Sequence, residues 1–166
     1  MTRGFTLIEV LVAFVIMGVL MMGFVPQYRQ IIEKHQMKGL ANDLYAFFAQ
    51  ARSDAVFRNR DLYGYFKRSG SKNDEWTLSL HLEDTVTSDV ISQLSGQSYN
   101  RLFVTSGFPN DKFKVDGVKG KIQQNGNIAF GLSNDGSKDI KLIAHSITGR
   151  IRLCGVNEKG FGYDKC

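Results

Sequence analysis

The longest apolar stretch stands at the head of the chain. Residues 5–25 read FTLIEVLVAFVIMGVLMMGFV, interrupted by one charge, Glu9, and by Thr6, Gly18 and Gly23. As a helix rising about 1.5 Å per residue, this run spans roughly the hydrocarbon thickness of a bilayer. Beyond Pro26 the pattern turns amphipathic. Tyr28, Ile31, Ile32, His35, Leu40, Leu44, Phe47, Phe48, Ala51 and Ala55 recur mostly three or four apart. Polar positions such as Arg29, Glu33, Lys38, Asp43 and Arg52 fall between them, as on a helix with one buried face. The pattern predicts one long helix over about 5–58. Residues 5–25 lie in a membrane and 26–58 pack through the stripe on a domain, with Pro26 and Gly39 as kinks or weak points.

From residue 62 the period shortens towards two. Strands are predicted at 63–67, 76–82, 101–105, 112–115, 127–132, 139–146 and 150–154, and 84–100 reads as a long loop with a short strand near Val90. Between them lies turn chemistry: SGSKND at 69–74, GFPND at 107–111, QNGN at 124–127 and NDGS at 134–137. A long helix followed by an antiparallel β-sheet domain over 59–166 is an α+β architecture.

Composition narrows the function classes only a little. The chain has 166 residues, 43% of them hydrophobic and 11% aromatic, which suits one globular domain and not a disordered tail. Lys and Arg exceed Asp and Glu by 21 to 16, a mild tilt towards anionic partners such as nucleic acid or lipid head groups. His35, His81 and His145 are isolated, with no metal-ligand spacing, and neither G-x-S-x-G nor a P-loop occurs. No catalytic residue, metal site or cofactor is expected, and the chain is not read as an enzyme.

Ahead of the apolar run stands only MTRG, and behind it Pro26 replaces the small-residue cleavage site of a secretory signal. A carboxylate inside a membrane helix is costly and is a functional candidate by default. Gly4-Phe5-Thr6-Leu7-Ile8-Glu9 closely resembles the class III signal of type IV pilins and type II secretion pseudopilins. The resemblance implies cleavage of the leader 1–4 after Gly4 by a prepilin peptidase, and N-methylation of Phe5 with the helix retained. It implies that Glu9 serves assembly, pairing with the new amine in an apolar filament core. It also implies the inner membrane of a Gram-negative bacterium as first location, then a pilus in the periplasm and at the cell surface, among other pilins. Cys154 and Cys166 would then lie outside the cytoplasm, where a disulfide persists; free thiols are the alternative.

Near the end, Ser146-Ile147-Thr148-Gly149-Arg150-Ile151-Arg152-Leu153-Cys154 sets Arg150 and Arg152 on one strand face and Ile151 and Leu153 on the other. Gly-Arg-x-Arg followed closely by Cys resembles the tail of the FimT/GspH family of minor pilins and pseudopilins. Its FimT-type members carry this motif for DNA binding in natural transformation. The resemblance assigns DNA contact to Gly149, Arg150 and Arg152, with Lys159 and Lys165 nearby. Across 149–166, four basic side chains face two acidic ones, Glu158 and Asp164. Two guanidiniums on one face can each fork onto phosphate oxygens. A solvated strand face, or ion pairs to Asp139 or Glu158, would use the same arginines blandly. Phe161 reads as packing for the tail, while Tyr163 is open between packing and stacking on a base. A second basic cluster, Arg52, Arg58, Arg60, Lys67, Arg68 and Lys72, is open between a DNA track, a membrane or subunit contact and a solvated helix end. The function expected is a minor pilin binding double-stranded DNA weakly and without sequence preference. The alternative is a structural or priming pilin, or a GspH-type pseudopilin, that binds no DNA.

Overall fold

A computed structural model describes residues 5–132, 138–156 and 161–166; within the helix, side chains at 22–27 and 29 are outside that description. The turn predicted at 134–137 therefore lies outside the described residues. The helix α1 runs Leu7–Arg58 without a break in its assignment at Pro26 or Gly39. Its end is a Schellman arrangement: Asn59 turns to φ 49°, its N–H donates to the Val56 carbonyl, and the Arg60 N–H donates to that of Ala55. The chain divides into two compact units, residues 1–35 and 36–166.

In the first unit the helix carries exposed apolar side chains from Leu7 to Met21. Among the described residues no helix is long and apolar enough to cross a membrane. The apolar run of the sequence continues through 22–25, whose side chains lie outside the description.

The second unit packs the rest of α1 on two four-stranded antiparallel sheets. One holds β1 (Leu62–Arg68), β2 (Trp76–His81), β3 (Val90–Ser95) and β5 (Lys112–Val115) in the order β3-β2-β1-β5. The other holds β4 (Leu102–Ser106), β6 (Gly126–Leu132), β7 (Ile140–Ala144) and β8 (Ile151–Gly155) in the order β4-β6-β7-β8. Met37, Leu40, Ala41, Leu44, Phe47, Phe48, Ala51 and Ala55 form the buried stripe of the helix. Phe48 lies at its centre, its ring 4.8 Å from Phe113 and 6.1 Å from Phe108 between centroids. The Tyr99 hydroxyl, carried by a short 3-10 turn at Gly96–Tyr99, donates to Asp43 on α1. Burial and that carboxylate push its pKa up.

Along the predicted stripe Tyr28, Ile31 and His35 are exposed, and the fully buried positions run from Met37 to Ala55. The β-domain is two sheets, because β4 pairs with β6 and not with β3. Within 84–100, the short strand expected near Val90 is found as Val90–Ser95, an edge strand on β2 with a register shift at Leu80/His81.

Candidate nucleic-acid interface

The Gly-Arg-x-Arg segment sits on a hairpin at the edge of the second sheet. β7 and β8 pair from Ile140↔Gly155 to Ala144↔Ile151, and two further bonds close the turn. The His145 N–H donates to Arg150 O at 3.0 Å and the Gly149 N–H to His145 O at 2.9 Å. Gly149 holds φ 66°, which a side chain would strain, so glycine is needed to turn the chain into β8. Pairing registers fix the faces. Ile151 and Leu153 share a side with Ala144 and Leu142 and pack against the core. Arg152 pairs with Ile143 and, with Arg150 two residues before it, projects from the opposite side.

Arg150 is exposed and its backbone N–H is held by the Thr148 hydroxyl at 3.3 Å. Arg152 is half-buried and its guanidinium donates to the Lys165 carbonyl at 3.1 Å. Among the described residues no carboxylate pairs with either guanidinium. The ion pairs found lie elsewhere, at Lys112–Asp84 and Lys114–Asp61. Asp139 instead accepts the Leu132 N–H, and Glu158 lies outside the described residues.

The tail forms a short addition beside β8. Cys154 and Cys166 are disulfide-bonded, with Cα atoms 5.0 Å apart. Gly155 bridges Lys165 in parallel, flanked by bonds from the Gly155 N–H to Asp164 O and the Cys166 N–H to Gly155 O. Phe161 and Tyr163 pack against the core, and burial raises the Tyr163 hydroxyl pKa. Phe161 thus packs as expected, and of the two readings of Tyr163 the contacts favour packing. Lys165 contributes its carbonyl to Arg152 and leaves its side chain exposed, while Lys159 lies outside the described residues.

The second basic cluster does not stay together. Arg52 donates through Nε to Gly120 O at 2.7 Å, whereas Arg68 reaches Val104 O and lies over the Phe103 ring. One partner of the motif was missed in the sequence: Lys121, far along the chain, donates through Nζ to Ile147 O at 2.9 Å in the hairpin turn.

At the N-terminus Gly4 lies outside the described residues and Phe5 is 88% exposed. The Glu9 carboxylate accepts the Thr6 N–H and hydroxyl, both at 2.9 Å, while the Thr6 hydroxyl faces the Glu9 N–H at 3.4 Å. This is a capping box, legible in the sequence as Thr-x-x-Glu before an apolar run.

Comparison with known proteins now bears on this layout. A model described as "Prokaryotic N-terminal methylation motif" matches residues 1–25. A second, described as "Type II transport protein GspH", matches residues 40–158. The chain belongs to the GspH family. Among solved structures, the GspH-family fold seen here is similar to the type IV minor pilin FimU of Pseudomonas aeruginosa. One FimU crystal form gives a TM-score of 0.55 at 20% identity, covering 73% of this chain and 90% of that one. Another gives 0.51 at 20% identity, covering 70% and 90%. At that identity the likeness shows the fold alone, a type IV pilin-like helix on antiparallel sheets. Among curated proteins none matches the chain.

Proposed function

We propose that this GspH-family protein is a minor pilin that binds double-stranded DNA without sequence preference, in support of DNA uptake during natural transformation. The observation that carries this reading is the pair Arg150 and Arg152. They lie on one outward face of a hairpin anchored by register, glycine turn and disulfide, with no carboxylate ion-paired to either among the described residues. Guanidiniums so held can take phosphate oxygens in bidentate fashion. Lys159 and Lys165 add cationic side chains along the same tail. The reading includes insertion in the inner membrane by residues 5–25, cleavage after Gly4, methylation at Phe5 and a role for Glu9 in assembly with other pilins. The methylation-motif match supports that processing.

A handful of phosphate contacts gives micromolar or weaker affinity, falling steeply with salt. The full chain in neutral detergent is titrated into labelled duplex at low and physiological salt. The Arg150→Ala/Arg152→Ala double variant should lose about ten-fold or more in affinity at low salt and lower the salt slope by about two. Unchanged binding rejects the assignment. A second reading, a structural or priming pilin or a GspH-type pseudopilin without DNA, draws on one contact: Arg152 donates to Lys165 O and so also serves the fold.

A further inference from the structure

We propose that the DNA surface extends from the Arg150–Arg152 hairpin across Lys121 and Lys119 into a groove beside Phe57, and that this groove takes an unpaired nucleotide of a DNA strand. The inference rests on the DNA reading above and adds to it a second subsite and a substrate preference.

The link is a chain of contacts. Gly149 lies against the Lys121 stem, so close that a Cβ there would come within 2.9 Å of Lys121 Cγ. Lys121 Nζ holds Ile147 O, and its backbone neighbour Gly120 is bonded to α1 by Arg52 Nε. Gly120 holds φ 61° and leaves only 3.0 Å between a Cβ and Val56 Cγ2, so the loop 116–121 is seated on the helix end. Between that loop and the helix is an open groove of about 580 Å3, lined by Ala49, Arg52, Ser53, Val56, Phe57 and Lys119.

What lines and rims this groove points to the occupant. Phe57 is 88% exposed on the last turn of α1, and Val118 and Ile147 are 75% and 82% exposed along the same path. Arg52 and Lys119 line the groove, and Lys121 leads from the same loop to the hairpin that carries Arg150 and Arg152. The acidic neighbours are Asp54 on the helix, Asp116, whose carboxylate accepts the N–H groups of Lys119 at 2.7 Å and Val118 at 2.9 Å, and Asp61, which accepts the Gly117 N–H at 2.9 Å and is paired with Lys114. An exposed ring among cations is the combination that single-stranded nucleic acid uses, with bases stacking on aromatics and phosphates held by lysines. The helix C-terminus carries partial negative charge and repels a phosphate. The phosphate is therefore assigned to Lys119 and Lys121, and the base to Phe57.

The test compares a short blunt duplex with the same duplex bearing a single-stranded overhang, titrated against the full chain in neutral detergent. The wild type should prefer the overhang by about five-fold or more, the lower end of one base stacked on an aromatic ring. Phe57→Ala should abolish the preference and leave blunt-duplex affinity within about two-fold, while Phe57→Tyr restores it. Unfolding curves check that the exposed ring is dispensable for folding. Lys119→Ala should weaken overhang binding more than blunt binding. Equal affinity for the two DNAs, or a preference that survives Phe57→Ala, overturns this proposal. Duplex binding that still depends on Arg150 and Arg152 then leaves the hairpin reading intact. No binding of either DNA overturns both. Should Phe57→Ala leave DNA binding untouched but impair co-assembly with other pilins, the groove is a subunit contact and the nucleotide assignment falls.

Discussion

The outward faces of the two sheets both carry cations, and they use them differently. On the first sheet Lys112 pairs with Asp84, and Lys114 pairs with Asp61 at 2.7 Å. The same ammoniums lie 5.5–5.8 Å from the ring centroids of Tyr63 and Tyr65. On the second sheet the hairpin arginines meet only a backbone carbonyl and a hydroxyl-bound backbone, with no carboxylate among the described residues. Lys112 and Lys114 are thus neutralised by carboxylates, whereas Arg150 and Arg152 are paired with none among the described residues. A charge count along a sequence does not separate these cases, because the neutralising aspartates come from other strands and loops.

The disulfide is the strongest handle on this difference. Cys154→Ser with Cys166→Ser should cost about 3 kcal/mol of stability in the chain-entropy picture, read by denaturant unfolding of the full chain. It should also weaken DNA binding, since Arg152 loses the Lys165 carbonyl that orients it, while the first face is untouched. A smaller effect is expected on the other side. Lys112→Ala with Lys114→Ala should leave duplex affinity within about two-fold of wild type, because exposed ion pairs contribute little and these lysines are already occupied. A drop as large as that of the arginine double variant would erase the contrast.

The smallest effect is in pH. Lys112, then the Tyr65 hydroxyl, hold the Asp84 carboxyl below the ordinary carboxylate range; Lys114, then the Gly117 N–H, do the same for Asp61. Depressed folded pKa values mean that this contribution is complete above about pH 4 and is lost as pH falls through the folded values. Burial first, then the bond to Asp84, pushes the Tyr65 hydroxyl up to about 12. Its raised value favours the neutral form, so that contribution is present below about pH 10 and is lost as pH rises through about 12. Thermal unfolding across pH should show both shoulders, and the lysine double variant should flatten the acid one.

Most of the element list was legible because helix and strand periods are local. The helix end came within a residue, and strand positions followed from alternation and turn chemistry. Partnership was not legible. β3 shows no clean burial alternation because it is an edge strand with a register shift, so its sequence shows only a short strand near Val90 and not its full extent. Tyr28 and Ile31 continue the stripe of Leu40 and Leu44 in sequence, yet an apolar stripe does not say whether its own domain covers it. The motif Gly149–Arg152 was visible as residues, whereas Lys121 beneath its turn was not, because the contact spans 26 positions.

The hairpin also determines how a mechanical load would enter the protein. Arg150 lies next to the turn, so under the proposed DNA reading a strand drawn away along the hairpin would pull on β7 and β8 together, lengthwise. The bonds that tie β7 to β6 run across that direction, from Gly126↔Ala144 to Phe130↔Ile140. Loaded that way they resist as a set and do not open one after another. Beside them, the covalent link from Cys154 to Cys166 fixes the last strand to the chain's end, so a tug at the turn cannot peel the tail away first.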